Sequence, residues 1–236
     1  MSIANTDGQS QRFFVTGTDT DAGKTYCSTA LLRGLLLQGI RCTALKPIAS
    51  GVDADGLNPD AKLLASATAQ PVSAVNPLSF ALPTAPHLAA QAQKQSLSLA
   101  RLDQLLPPQT GELQLIEGAG GWLLPLNDHE YMADWVVRHR WPVLLVVGVR
   151  LGCLNHSLLT VRELRRAGVP LLGYVANILT PQMHYLDETL ADLATRLQLP
   201  LLATLPFAPD GADETLCVEL ATQLQRQLAA MRTSAQ

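Results

Sequence analysis

The stretch that most constrains this chain is Phe13-Phe14-Val15-Thr16-Gly17-Thr18-Asp19-Thr20-Asp21-Ala22-Gly23-Lys24-Thr25, an aromatic and β-branched run that empties into a polar loop closed by Gly-Lys-Thr. It predicts a strand, a phosphate-binding loop and the start of a helix. Gly23 lets backbone N–H groups approach an anion, Lys24 supplies a point charge, and Thr25 offers a hydroxyl to a magnesium ion. The residues from Tyr26 to Leu37 have the apolar spacing of a buried helix, whose N-terminal dipole would face the bound phosphate. The match to G-x-x-x-x-G-K-S/T is imperfect, because Thr18 stands where the first glycine belongs and Gly17 lies one residue early. A Gly-Lys-Thr tripeptide also occurs in ordinary strand-to-helix turns; the strand before it and the helix after it favour a nucleotide.

At 236 residues the chain is sized for one α/β domain, assigned to 12–236 behind a disordered leader over 1–11. A net charge of −3 without runs of like charge gives no footprint for nucleic acid or an acidic membrane, so the expected partners are small molecules. Cys27, Cys42, Cys153 and Cys217 form no C-x-x-C pair and suit free thiols in a reducing compartment, for which the cytoplasm is the simplest address. The polar Met1–Gln11 segment is no secretory signal, and no apolar run reaches the roughly 18 residues of a membrane span.

Further along, the run Arg41 to Lys46 predicts a second strand that delivers Lys46 and the loop Pro47-Ile48-Ala49-Ser50-Gly51 to the carboxyl edge of a parallel sheet, where ligands collect. Lysine at a strand end is most often simply solvated, so this position alone does not make Lys46 catalytic. Asp60 opens a short helix and is read either as its N-cap or as a magnesium ligand. A proline-rich stretch follows, then a helix over 95–106. The strand Leu113 to Glu117 ends in an acid and the glycine-rich turn Gly118-Ala119-Gly120-Gly121, a layout suited to holding magnesium beside a phosphate. The bland alternative is a tight turn, but a buried acid there would be costly without a cation. The unbroken apolar run Val143 to Val147 is a central parallel strand covered on both faces. It leads to Gly152-Cys153-Leu154-Asn155, a helix start able to receive a carboxylate. A later strand ends in Asn177, whose amide could read a base edge, and another leads into Pro206 and Phe207. Strands and crossover helices alternate throughout, which predicts a doubly wound, mostly parallel α/β sheet with helices on both faces, similar to the P-loop nucleoside triphosphatases.

Taken together, Thr16 to Thr20 with Gly23-Lys24-Thr25, Lys46-Pro47-Ile48-Ala49-Ser50-Gly51, Glu117 to Gly121, Gly148 to His156 and Val175-Ala176-Asn177 resemble the dethiobiotin synthetase family from about Arg12 to Asp210. The resemblance implies a homodimeric ligase that carboxylates 7,8-diaminononanoate with carbon dioxide and closes the ureido ring, using ATP and Mg2+. It further implies that Asp21, Ala22, Gly23, Lys24 and Thr25 hold the phosphates, with Gly118, Ala119 and Gly120 beside them. Thr25, Asp60 and Glu117 would ligate Mg2+, and Lys46 with Lys24 would stabilise the carbamate and the transferring phosphoryl group. Ser50 would touch the diamine or its carbamate, Gly152 to Asn155 would take its distant carboxylate across the dimer interface, and Asn177, Pro206 and Phe207 would line the adenine pocket.

The chain departs from many relatives at Asp21, where they carry Glu, and at Ala22, where they carry a larger aliphatic. Two rivals share the first half of the pattern. Partitioning-type ATPases place a second lysine early in the loop, where this chain has Asp19, and cobyrinic-acid amidotransferases need a glutaminase domain for which 236 residues leave little room. A rival of another class is a non-catalytic nucleotide-dependent switch, against which Lys46, Ser50 and the helix start at Gly152 weigh.

Overall fold

The computed structural model describes residues 11–208 and 211–234. The first strand, β1 (Gln11–Gly17), feeds α1 (Lys24–Leu37), and β2 (Cys42–Leu45) is followed at once by a short β3 (Ile48–Ser50). Then come α2 (Pro59–Thr68), α3 (Val72–Val75), β4 (Leu78–Phe80), α4 (Pro86–Ala92) and α5 (Leu99–Leu105). The remainder alternates as β5 (Leu113–Gly121), α6 (Met132–His139), β6 (Val143–Val149), α7 (Cys153–Arg166), β7 (Leu171–Ile178), α8 (Leu186–Leu197), β8 (Leu201–Leu205) and α9 (Glu214–Ser234).

Six strands form one parallel sheet in the order β2-β5-β1-β6-β7-β8. Strands covered on both faces read as continuous apolar runs, and every residue of β6 is buried. Its side chains alternate: Leu144 and Val146 join the core under α1 and α9, while Leu145 and Val147 join the one under α7 and α8. On that second face Phe14, Ile116 and Trp135 belong to a further cluster under α5 and α6. Close approach of α1 to α9 depends on Gly34, where an added Cβ would lie 1.9 Å from the Cys217 carbonyl oxygen.

The doubly wound parallel sheet is therefore as expected, and several local boundaries are not. Gln11, assigned to the leader, is the first residue of β1 and stands opposite Leu113; the rest of the leader lies outside the described residues, as do Pro209 and Asp210. Residues 48–50, read as loop, form a strand that pairs in parallel with β4 in a separate two-stranded sheet. Three residues are too few to show a period, so nothing local announced them. The helix expected over 95–106 begins only after Ser98, whose side chain caps it by accepting from the Arg101 N–H at 3.1 Å. All four cysteines are free and buried. Among the described residues no helix is long and apolar enough to cross a membrane.

Candidate active site

Strand register assembles the site. Glu117 on β5 stands opposite Val15 on β1, two residues before the phosphate loop opens at Gly17. Leu45 on β2 stands opposite Ile116, so Lys46 leaves its strand level with Glu117. The three strands neighbour one another in the order β2-β5-β1, and their carboxyl ends bring Lys46, Glu117 and the Lys24–Thr25 turn to one point. The Thr25 hydroxyl donates to Glu117 Oε1 at 2.8 Å, and Lys46 Nζ donates to the same oxygen at 2.7 Å. From the solvent side Asp60 Oδ2 meets Lys46 Nζ at 3.1 Å.

Lys46 and Glu117 are held out of water. Glu117 is fully buried and Lys46 is 4% exposed, so their attraction is poorly screened. Burial alone would lower the Lys46 pKa. Attraction to Glu117 and Asp60, with the hydrogen bonds to both, outweighs it and holds the ammonium above the ordinary lysine value. Lys24 shows the opposite shift: burial and then repulsion by Lys46 lower its pKa, and Glu117, Asp60 and Asp21 offset this only in part. Its ammonium donates to the Asp19 carbonyl at 3.3 Å. The site therefore holds one lysine that is fully paired and one still short of an anion.

Glu117 Oε2 is buried and has no hydrogen-bond partner. A carboxylate oxygen left so in a fully buried side chain fits a cation that arrives with a ligand. Magnesium takes one or two carboxylates and completes its shell with phosphate oxygens and water. Glu117, the Thr25 hydroxyl and Asp60 are a donor set of that kind. Among the described residues no cluster of three or more His, Cys, Asp or Glu side chains could hold a metal by itself.

Around this point lies a cleft of about 670 Å3, lined among others by Asp21, Gly23, Lys24, Thr25, Lys46, Ser50, Asp60, Ala119 and Gly120. Ser50 closes β3, and its hydroxyl donates to the Thr84 carbonyl at 2.5 Å. Asp60 is not the N-cap of α2. Asn58 holds that position, accepting from the Ala61 N–H at 3.1 Å, and this leaves the Asp60 carboxylate free to meet Lys46. Asn177 is buried against the loop, its amide nitrogen donating to the Ala22 carbonyl at 3.0 Å. It packs so closely that a Cβ at Gly23 would lie 1.9 Å from it, which with a φ of +87° makes glycine obligatory there. Ala22 lies buried beneath the loop, and Gly118 is held so near Phe14 that a Cβ would come within 2.7 Å of its ring.

Not all the expected residues meet. Gly152, Cys153, Leu154 and Asn155 do open α7, with Gly152 in the left-handed region at φ +94°, but none of them lines the cleft of the same chain. The Cys153 N–H is already taken by the Arg150 carbonyl, leaving the N–H groups of Leu154 and Asn155 at the helix start. Phe207 is half-exposed, and the Pro206 carbonyl accepts a long 3.5 Å bond from Tyr26, which lines the cleft one residue after Thr25. Tyr26, Thr29 and Arg33 were not anticipated as lining residues; their i, i+3, i+7 spacing, which puts them on one face of α1, was the available signal. Asp19, in the position where partitioning ATPases carry lysine, pairs with Arg150 of its own chain at 2.6 Å and accepts from the Thr20 N–H at 2.8 Å. Its carboxylate thus shapes the turn.

A family profile described as an AAA domain matches residues 11–215. The ATP-dependent dethiobiotin synthetase BioD of Cellvibrio japonicus is 46% identical over 201 residues, covering 82% of this chain and 88% of that protein. The chain belongs to the dethiobiotin synthetase family. The family's BioD proteins of Aeromonas hydrophila and Vibrio cholerae are 43% and 39% identical, each covering 86% of this chain and 94% and 91% of their own lengths. Among solved structures, this synthetase-family chain is similar in fold to cobyrinic acid a,c-diamide synthase from Mycobacterium smegmatis, with a TM-score of 0.57, 16% identity, and coverage of 93% and 95% of the two chains. It is similar also to the septum site-determining protein MinD in complex with Mg-ADP from Pyrococcus horikoshii, with a TM-score of 0.54, 17% identity, and coverage of 94% and 98%. At such identities these two likenesses speak for a dethiobiotin synthetase's fold alone.

Proposed function

We propose that this chain is an ATP-dependent dethiobiotin synthetase that carboxylates one amine of 7,8-diaminononanoate with carbon dioxide and closes the cyclic urea at the expense of ATP. Beyond family membership, the observation that carries the reading is the convergence of Thr25 and Lys46 on Glu117, with Asp60 meeting Lys46 from the other side and Glu117 Oε2 unpartnered. One amine attacks carbon dioxide and loses a proton, giving a carbamate. A carbamate oxygen then attacks the γ-phosphorus of ATP and ADP leaves, which makes a carbamic-phosphoric mixed anhydride. The second amine attacks its carbonyl carbon, expels phosphate and loses a proton.

Phosphoryl transfer of this kind depends on charge neutralisation and in-line positioning more than on a strong base. Lys46, kept charged by Glu117 and Asp60, faces the carbamate and the transferring group beside Ser50. Lys24, short of an anion, takes the phosphates together with the backbone from Asp21 to Thr25 and the turn Gly118-Ala119-Gly120. Thr25, Asp60 and Glu117 would hold Mg2+, which when bound neutralises phosphate charge. With its nitrogen committed to Ala22, Asn177 turns its oxygen into an acceptor suited to the exocyclic amine of adenine, and Pro206 and Phe207 flank the base.

The active enzyme is a homodimer in this reading, in which the Gly152–Asn155 helix start, which does not line the cleft of its own chain, would serve the partner's diamine. Leu151, 97% exposed, and Leu159, 57% exposed, are the kind of apolar surface a second copy would cover. The free thiols suit the cytoplasm. The test is to measure phosphate release from Mg-ATP and bicarbonate with and without diaminononanoate. Strict dependence on the diamine is expected, and ATP turnover indifferent to it would sink the proposal. Asn155→Ala should raise the KM for the diamine about tenfold, the loss of one good hydrogen bond, and leave that for ATP unchanged; equal effects on both would remove the helix start from the substrate site.

A further inference from the structure

Lys46 lies outside both sheets. The β2 ladder ends at Leu45 and the β3 ladder begins at Ile48, so Lys46 and Pro47 form a two-residue step between the six-stranded and the two-stranded sheet. Pro47 has no N–H to contribute. A buried backbone at such a step still needs its donor and acceptor satisfied, and whatever satisfies them decides where the side chain starts. Both groups of Lys46 are held by two consecutive residues at the end of α3, its last residue and its C-cap. Its N–H donates to the Val75 carbonyl at 2.7 Å, and its carbonyl accepts from the Asn76 side-chain nitrogen, also at 2.7 Å.

Asn76 is equipped for this. It is 9% exposed, and its own N–H is tied to the Val72 carbonyl at 2.8 Å, which fixes its backbone. The same side-chain nitrogen reaches the Leu78 carbonyl, the first of β4, at 3.2 Å. Its two hydrogens therefore join the end of β2 to the start of β4 at the point where Lys46 turns towards Glu117. Only an amide offers two donors from one atom on so short a stem; aspartate in its place would set a carboxylate against two carbonyl oxygens.

We propose that Asn76 is a positioning residue for the chemical step: it fixes the backbone of Lys46, and through it the distance from the ammonium to the transferring group, without touching a ligand. The proposal rests on the catalytic role of Lys46 given above. Nucleotide binding hangs on β1 and α1, so a loosened Lys46 separates turnover from ATP binding.

The test compares Asn76→Asp, Asn76→Ser and Lys46→Ala, and the doubles of each Asn76 variant with Lys46→Ala, in steady-state assays with diaminononanoate, bicarbonate and Mg-ATP alongside thermal melting. Asn76→Asp should lose about 10²-fold in kcat, the scale of a misplaced catalytic group, with the KM for ATP unchanged. Asn76→Ser, which keeps one donor, should recover part of the loss, and it carries the test if Asn76→Asp does not fold. In the Lys46→Ala background either Asn76 change should cost little more, because the group it positions is gone. Turnover near wild type in both Asn76 variants, a matching rise in the KM for ATP, or losses that multiply fully with that of Lys46→Ala would overturn the proposal. Retained turnover in Lys46→Ala would remove the role of Lys46 and that of Asn76 with it. A dead Lys46→Ala beside active Asn76 variants would remove Asn76 alone.

Discussion

Two carboxylates in this molecule sit among cations and aromatic or hydroxyl donors, and they are satisfied differently. Asp103, on α5, accepts from Trp135 Nε1 at 2.8 Å and His139 Nε2 at 3.0 Å on one oxygen and from Arg138 on the other. His139 is stacked on Trp141 with ring centres 4.4 Å apart, and burial followed by repulsion from Arg138 and Arg12 lowers its pKa. Glu117 is buried more deeply, yet both of its donors, Thr25 and Lys46, fall on Oε1 and Oε2 has none. The chain's own donors cover both oxygens of the first carboxylate, which ties α5 to α6. The second keeps one oxygen without a donor, and on that oxygen the proposed magnesium site rests.

Substitutions can break that contrast, and the largest effect belongs to Lys46. Lys46→Ala should lower turnover about 10³-fold while ATP still binds, and near-normal kcat would strip Lys46 of its role. Glu117→Gln comes next. It should cost about 10²-fold in turnover, and in calorimetric melting with ATP it should lose the extra stabilisation that Mg2+ gives the wild type. If that Mg2+ increment survives, Oε2 is not the reserved ligand. Asp103→Asn should leave both turnover and the Mg2+ increment intact and lower unfolding free energy by about 1–2 kcal/mol; a catalytic defect would erase the distinction between the two carboxylates.

The smallest effect concerns charge on Lys24. Its pKa in the folded, nucleotide-free protein lies below the ordinary value that the unfolded chain retains. Deprotonation therefore favours the folded state, and stability rises with pH between the folded and the unfolded value. Lys24→Met, which carries no charge, should melt slightly above the wild type at neutral pH without nucleotide. That margin should shrink as the pH climbs through the depressed value towards the unfolded one. A variant that melted well below the wild type would mean that the Lys24 charge is already paid for in the empty site.

Much of this was legible in the sequence because the decisive residues stand where strands end or helices begin. Val15 and Ile116 sit in apolar runs whose parallel pairing follows from the alternation of strands and helices; Glu117 ends the apolar run of β5, Lys46 directly follows β2, and Lys24 opens α1 after the loop from β1. What stayed hidden depends on contacts between segments distant in the chain. Asp60 reads equally as a cap or a metal ligand until its pairing with Lys46 is seen, and the pairing of Asp19 with Arg150 joins the loops after the neighbouring strands β1 and β6. β3, β4 and Asn76 fall in a proline-rich stretch with no period, where three-residue strands are formed only because each pairs with the other. The helix start at Gly152 was visible as a place able to receive a carboxylate, but that it does not line the cleft of its own chain depends on the fold.

The central claim is that the oxygen reserved on Glu117 and the ammonium of Lys46 serve phosphorylation of a carbamate. The most direct measurement supplies 13C-bicarbonate, Mg-ATP and 7,8-diaminononanoate to the purified protein and follows the label and the phosphate together. The account predicts 13C in a cyclic urea carbon with one phosphate released per ring. Phosphate released without label in a ring, or at a rate the diamine does not change, would contradict it.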